Sequence, residues 1–203
     1  LTYAGEPVQL KQPQSSEEKC ADGCLCVRER YLVGGALQVS ADIRYYDDFP
    51  ASYWTLRLKN VSDTPTELIS NVKSLDFVWQ PPLDTVRYPE FPLLRYSRGS
   101  EGRGDDFLLC EEVLNWGQKK EFCAINGVCS DVHLPFFNLK YGAQGILLAV
   151  GWTGNWTCSF DHTDYHSRHT FHLEAGIEDV NFYLEPGEEV LLPSILLLHW
   201  EGE

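Results

Sequence analysis

Apolar and polar residues follow each other along this chain with a period of two far more often than with a helical period. In Tyr53-Trp-Thr-Leu-Arg-Leu-Lys-Asn60 the alternation puts Trp54, Leu56 and Leu58 on one face of a strand. Comparable β-favourable segments run from Tyr31 to Val33, Leu37 to Tyr46 and Thr66 to Trp79, and Asn60-Val-Ser-Asp-Thr-Pro65 has the composition of a turn. His133 to Leu139 and the run from Gly145 onward form a predicted hairpin around Tyr141-Gly-Ala-Gln-Gly145. Thr157 to Phe160 and Thr170 to Ala175 are predicted strands flanking a loop rich in His and Asp. Phe182 to Trp200 is predicted as two strands joined by Glu185-Pro-Gly-Glu188, where Pro then Gly suits a type II turn. One segment breaks the alternation. Ile146, Leu147, Leu148, Ala149 and Val150 are all apolar, which predicts a strand covered by protein on both faces. The chain shows no repeat, low-complexity tract or long amphipathic helix, so the fold class is all-β, a two-layer antiparallel sandwich.

Composition supports that reading: 13% of the 203 residues are aromatic, a profile that suits pleated sheets and argues against disorder. Thirty acidic against 16 basic side chains give a formal charge of -14, which repels phosphate backbones and anionic membrane surfaces. Nucleic acid and membrane are therefore not expected partners. No apolar stretch approaches a membrane span and no leader-like segment opens the chain, so the expectation is a soluble, cytoplasmic protein. The chain begins at Leu1 and has no Met, which reads as a fragment or a processed product.

Seven cysteines are an odd and uneven set, so no disulfide framework is implied. Cys20, Cys24 and Cys26 have C-x3-C-x-C spacing, which does not fit paired zinc knuckles. His162, His166, His169 and His172 fall within eleven residues, yet nothing places their rings on one side of a metal. Neither cofactor nor metal is expected. Asp47-Asp48, Asp105-Asp106 and Glu188-Glu189 are adjacent pairs whose side chains point apart on a strand, so adjacency is no sign of a catalytic dyad. A mutarotase-like pairing of His133 or His172 with Glu174 stands only as a fold analogy.

Two stretches carry the candidate ligand chemistry. Ser97 to Asp106 combines three glycines with five charges and must be an exposed loop. In Gly151-Trp-Thr-Gly-Asn-Trp156, two indoles leave a strand beside polar neighbours. Gly151 and Gly154 would supply backbone angles closed to other residues. An indole covers the C–H face of a pyranose, and two core tryptophans are the other reading of the same residues.

Gly151 to Trp156 resembles the Gly-Trp-Ser/Thr-Gly-x-Trp segment of the N-terminal β-domain of glycoside hydrolase family 36, the α-galactosidases and their relatives. Leu94-Arg-Tyr-Ser-Arg-Gly-Ser100, Asp105-Asp-Phe107, Ser130 and Leu134-Pro-Phe-Phe137 resemble the segments before it. Glu174-Ala-Gly-Ile177, Leu184-Glu-Pro-Gly-Glu188 and Leu192-Pro-Ser-Ile195 resemble those after it. Residues 20–26 and 111–129 match no such segment, and Thr153 stands where Ser is frequent.

The resemblance implies a galactose-mutarotase-like β-supersandwich at 27–203, preceded by a strand or extension at 1–26. It also implies a C-terminal catalytic (β/α)8 barrel in the same polypeptide, which supplies both catalytic carboxylates, so this chain carries no catalytic residue. Such domains border a galactoside pocket and can support a homo-oligomer. Asp105, Asp106, Trp152 and Trp156 are the candidates for a pocket rim, with Trp152 expected in the core and Trp156 at the rim. An autonomous carbohydrate-binding module, and a structural sandwich docking through Ile195 to Leu198, are the alternatives.

Overall fold

The computed structural model describes residues 1–21, 23–82, 90–165, 168–177 and 180–202; the side chains of residues 20–21, 164–165 and 168 lie outside that description. Among the described residues there is no helix. The backbone forms a large antiparallel sheet of ten strands, covered on one face by two smaller antiparallel sheets.

The large sheet contains β3 (Ser15–Ala21), β4 (Cys24–Val33), β5 (Leu37–Tyr46), β6 (Ala51–Asn60), β9 (Leu93–Arg98), β10 (Leu109–Val113), β12 (His133–Tyr141), β13 (Gln144–Gly151), β17 (Glu189–Leu191) and β18 (Ser194–Glu201). They run in the order β10-β9-β12-β13-β18-β6-β5-β4-β3, with β17 also on β6. The expected boundary at 26/27 falls inside β4, which is continuous across it, and β3 is the edge strand of the same sheet. A four-stranded sheet, β11-β14-β15-β8, is built from β8 (Lys73–Trp79), β11 (Lys119–Cys123), β14 (Thr157–Tyr165) and β15 (Arg168–Gly176). A second, β16-β7-β1-β2, uses the two-residue strands β1 (Thr2–Tyr3), β2 (Glu6–Pro7), β7 (Ile69–Ser70) and β16 (Asn181–Phe182).

Two cores fill the space between the layers. The larger lies under β9, β12, β13 and β18 and contains Leu94, Phe137, Ile146, Leu148, Trp156, Phe160 and Phe171. The smaller, with Leu37, Val39, Leu58, Ile69 and Leu184, lies between β5, β6 and the short strands. Strand β6 joins them: Trp54 packs on the first core, and Leu56 and Leu58 belong to the second. Its far edge is shared, Leu191 pairing with Arg57 while Ile195 pairs with Trp54.

Several expectations from the sequence are met. The turn at 60–65 forms around the buried Asn60, whose amide nitrogen donates to the Thr64 and Leu184 carbonyls and whose oxygen accepts from the Ser62 N–H and hydroxyl. Glu185–Glu188 closes with the Glu188 N–H on the Glu185 carbonyl at 2.9 Å and Gly187 at φ +78°.

Three differ. Thr66 to Trp79 is two strands, because Asn71 takes a left-handed backbone (φ +46°) and the chain passes from one covering sheet to the other. The His/Asp stretch after Phe160 is strand rather than loop up to Tyr165: Cys158, Phe160 and His162 all point inward, and a buried histidine hides the alternation from a polarity count. Phe182 to Trp200 contributes to three strands, since Leu192-Pro193 separates β17 from β18 and Phe182 pairs with Ile69.

Candidate functional site

The charged loop after β9 is held by the segment before β12. The Gly99 N–H donates to the Val132 carbonyl and the Ser100 N–H to the Ser130 carbonyl, both at 2.8 Å, and Phe107 N–H returns to the Gly99 carbonyl at 3.2 Å. Gly99 is required by this close approach, because a β-carbon there would overlap the Ser130 carbonyl oxygen. Two bulky residues beside it, Phe107 (φ +61°) and Val132 (φ +63°), take left-handed backbone conformations that such side chains rarely adopt. The segments that carry the family resemblance around Gly99, Ser130 and Phe107 thus meet at one strained corner.

Asp105 and Asp106 have different roles there. Asp105 is paired with Arg98. Asp106 accepts from the N–H groups of Arg103, Glu101 and Gly102 at 3.0–3.1 Å and from the Ser100 hydroxyl at 3.2 Å. Those donors, Arg103 first, hold its carboxyl below the ordinary value. Asp106 thereby organises its own loop.

The two tryptophans occupy the reverse of the expected places. Trp156 is 0% exposed, its Nε1–H donates to the Cys129 carbonyl at 2.8 Å, and its ring meets Phe137 edge-on. Trp152 is half-buried at the border of the core. The reason is local: Gly151 closes β13 and Thr157 opens β14, so the residue just before β14 drops between the layers. Trp156 therefore presents no face to solvent, and of the two indoles only Trp152 is partly exposed. Neither Gly151 nor Gly154 has positive φ; a β-carbon at Gly151 would meet the Ser194 hydroxyl, which would have to rotate away.

Of the clustered histidines, His162 and His169 meet ring on ring. His162 is buried, with Nδ1 on the Leu114 carbonyl at 2.8 Å and Nε2 on His169 Nδ1 at 2.8 Å, and Trp116 packs on both rings. Burial pushes His162 below its ordinary value. The group is neutral in the fold at neutral pH, and its contribution to stability is lost as pH falls below the ordinary histidine value, where the unfolded chain takes up the proton. His166 lies outside the described residues. His133 packs inside against Tyr96 and Phe122.

His172 faces outward with Asp76 and Glu174, their ligand atoms within 4.8 Å of one another, the one such group among the described residues. The Asp76 side chain is 69% exposed on an open sheet face, and Lys119 acts on Glu174, so no wall excludes water there and a cation meets a competing charge. Cys24 and Cys26, neighbours on one face of β4, have their sulfurs 3.7 Å apart; the Cys20 side chain lies outside the described residues.

The outer face of the large sheet carries an apolar patch that no single segment of the sequence outlines. Leu109, Phe136, Leu147 and Leu196 are exposed from four different strands, Phe136 by 61%, around a cavity of about 390 Å³ that also touches Ala149. Register places them together: Phe136 is opposite Ala149, Ala149 opposite Leu196, and Leu147 opposite Leu198. The β13 run expected to be covered on both faces is therefore covered on one by this chain. The other is open and apolar.

No family model matches the chain, and no curated protein matches it in sequence. Solved structures do share its fold. The α-galactosidase of Lactobacillus brevis superposes with a TM-score of 0.69 at 14% identity, over 97% of this chain and 26% of its own. AgaA, a glycoside hydrolase family 36 α-galactosidase from Geobacillus stearothermophilus, gives 0.70 at 15% identity, over 98% and 27%. The galactosidase domain of an α-galactosidase-sucrose kinase gives 0.65 at 16%, over 97% and 26%. The chain thus spans about a quarter of the length of these structures, and the β-supersandwich read from its motifs is the fold observed.

Proposed function

We propose that this chain is the non-catalytic N-terminal β-sandwich domain of a retaining glycoside hydrolase of the α-galactosidase type, seated on a catalytic barrel in the same polypeptide. The observation that carries the reading is the match in fold: it takes in nearly all of this chain and about a quarter of each α-galactosidase structure. The open apolar face around Phe136, Leu147 and Leu196 supports it, because exposed apolar patches on central strands mark surfaces that another protein layer covers. The continuous apolar character of β13 is then explained by a second cover outside this chain.

The domain's roles are to stabilise the barrel, to support a homo-oligomer, and to contribute a pocket rim through the 98–108 loop and Trp152. Within that loop Asp105 and Asp106 set the shape rather than touch sugar. The substrate class is a galactoside; AgaA has been solved with raffinose, a galactoside. Docking through Ile195 to Leu198, the structural alternative, becomes part of the same reading in modified form, since Ile195 and Leu197 are buried and Leu196 faces outward. A free-standing binding module loses half its platform with Trp156 in the core.

The test is turnover. The folded 203-residue chain is expected to release no phenol from an aryl α-galactoside. Turnover that co-purifies with the chain overturns the non-catalytic assignment.

A further inference from the structure

Beyond its apolar patch, the outer face of the large sheet carries a second, chemically opposite region over β3–β6. Here a groove of about 500 Å³ is lined by Lys19, Arg28, Arg44 and Arg57, one cation from each of four adjacent strands, with Glu17 and Asp42 as its carboxylates. In a chain of formal charge -14 this concentration of positive charge is out of keeping with the whole.

Both carboxylates are already engaged. Glu17 accepts from Arg30 at 2.8 Å, and Asp42 is shared by Arg28 and Arg57, the latter also reaching Glu189 at 3.5 Å. Lys19 and Arg44 belong to no ion pair among the described residues. Register brings them to one row, Lys19 opposite Cys26, Cys26 opposite Arg44, and Arg44 opposite Tyr53. Two exposed cations with long side chains thus flank a short thiol, free to fold over it toward one ligand. The Tyr53 hydroxyl, beside Thr55 and in the field of Arg44, adds a hydrogen-bonding group at the same end.

We infer that this groove is a binding site for a small oxyanion-bearing ligand, a carboxylate or phosphate ester, held by Arg44 and Lys19 with Tyr53 at its edge. A guanidinium offers a planar fork that matches either group. The volume is that of a small-molecule site rather than of a macromolecular interface. The charge balance decides between ligand sizes: a polyanion would extend beyond the groove onto a surface of net -14 and be repelled, whereas a compact anion stays within the positive field. The groove shares no lining residue with the loop at 98–108 or with the apolar patch.

Isothermal titration of the 203-residue chain at low salt tests it, with inorganic phosphate, D-galacturonate and neutral D-galactose as probes. Saturable binding of phosphate, of galacturonate, or of both is expected, and the pattern identifies which oxyanion the site accepts. Arg44→Gln and Lys19→Gln should each weaken that binding about tenfold, the effect of losing one charge-assisted hydrogen bond. Arg95→Ala, on the same outer face but at its β9 end, should leave it unchanged. Both groove residues are exposed, so their variants should unfold at the wild-type midpoint; if one does not fold, the other carries the test. Absence of anion binding by the folded chain, equal binding of galactose, or binding indifferent to both groove variants overturns the site.

Discussion

Replacing Trp156 with Ala is expected to destabilise the chain by about 3–5 kcal/mol, the range for truncating a fully buried aromatic. The ring is 0% exposed and its Nε1–H satisfies the Cys129 carbonyl, so the variant both opens a cavity and leaves that carbonyl without its donor. For a chain of this size the unfolding midpoint should drop by roughly 6–20 °C. Trp152→Ala, at the half-buried border of the same core, should cost less than half as much. Urea or thermal unfolding of the two variants side by side reads the difference. An equal or inverted ranking would mean that the turn between β13 and β14 does not send Trp156 between the layers.

The second large effect is expected at Gly99. Its substitution by Ala places a β-carbon into the Ser130 carbonyl oxygen and within 2.9 Å of the Val132 nitrogen, both backbone atoms that no side-chain rotation can move aside. Overpacking of this kind costs about 1–3 kcal/mol or more. The Gly99–Val132 and Ser100–Ser130 hydrogen bonds should also be strained or lost. Limited proteolysis should then cut between residues 100 and 108 much faster than in the wild type. Gly104→Ala is the matched control: a β-carbon there meets nothing within 4 Å, and its effect should stay within about 0.5 kcal/mol. Similar cleavage of the two variants would show that the corner is not what holds the loop.

The sandwich was legible because its signal is local. Alternation in Tyr53–Asn60, the Pro-Gly turn at 186–187 and the hairpin around 142–143 each follow from backbone chemistry within a few residues. What was illegible depended on contacts that form only when the chain folds. His162 looks polar in isolation, yet its two ring nitrogens are satisfied by Leu114 and His169, and it sits in the core like an aromatic residue. Trp152 and Trp156 are equivalent in the motif and separate only when the layers close over one of them. Asp106 reads as a candidate ligand group until four donors from its own loop converge on it. The cationic groove draws one cation from each of β3, β4, β5 and β6, and no linear window contains it.

The uniform hydrophobicity of Ile146 to Val150 carried more than its strand assignment. Ile146, Leu148 and Val150 fill the core of this chain, while Leu147 is 41% exposed and joins Phe136 and Leu196 on the outer face. A strand with that composition is written for burial on both sides, and this chain supplies one. The open side, the quarter-length fold match and the order of motifs all support the proposal made above, of a domain completed by the rest of a longer hydrolase.

Hydroxyl-radical footprinting of Phe136, Leu147 and Leu196 tests that proposal most directly, in the intact gene product and in the 203-residue chain side by side, with buried Trp156 as the internal reference. All three outer-face residues should be labelled in the isolated chain and protected in the intact protein, while Trp156 stays protected in both. Equal labelling of the three in both proteins, or a gene product no longer than this chain, would contradict it.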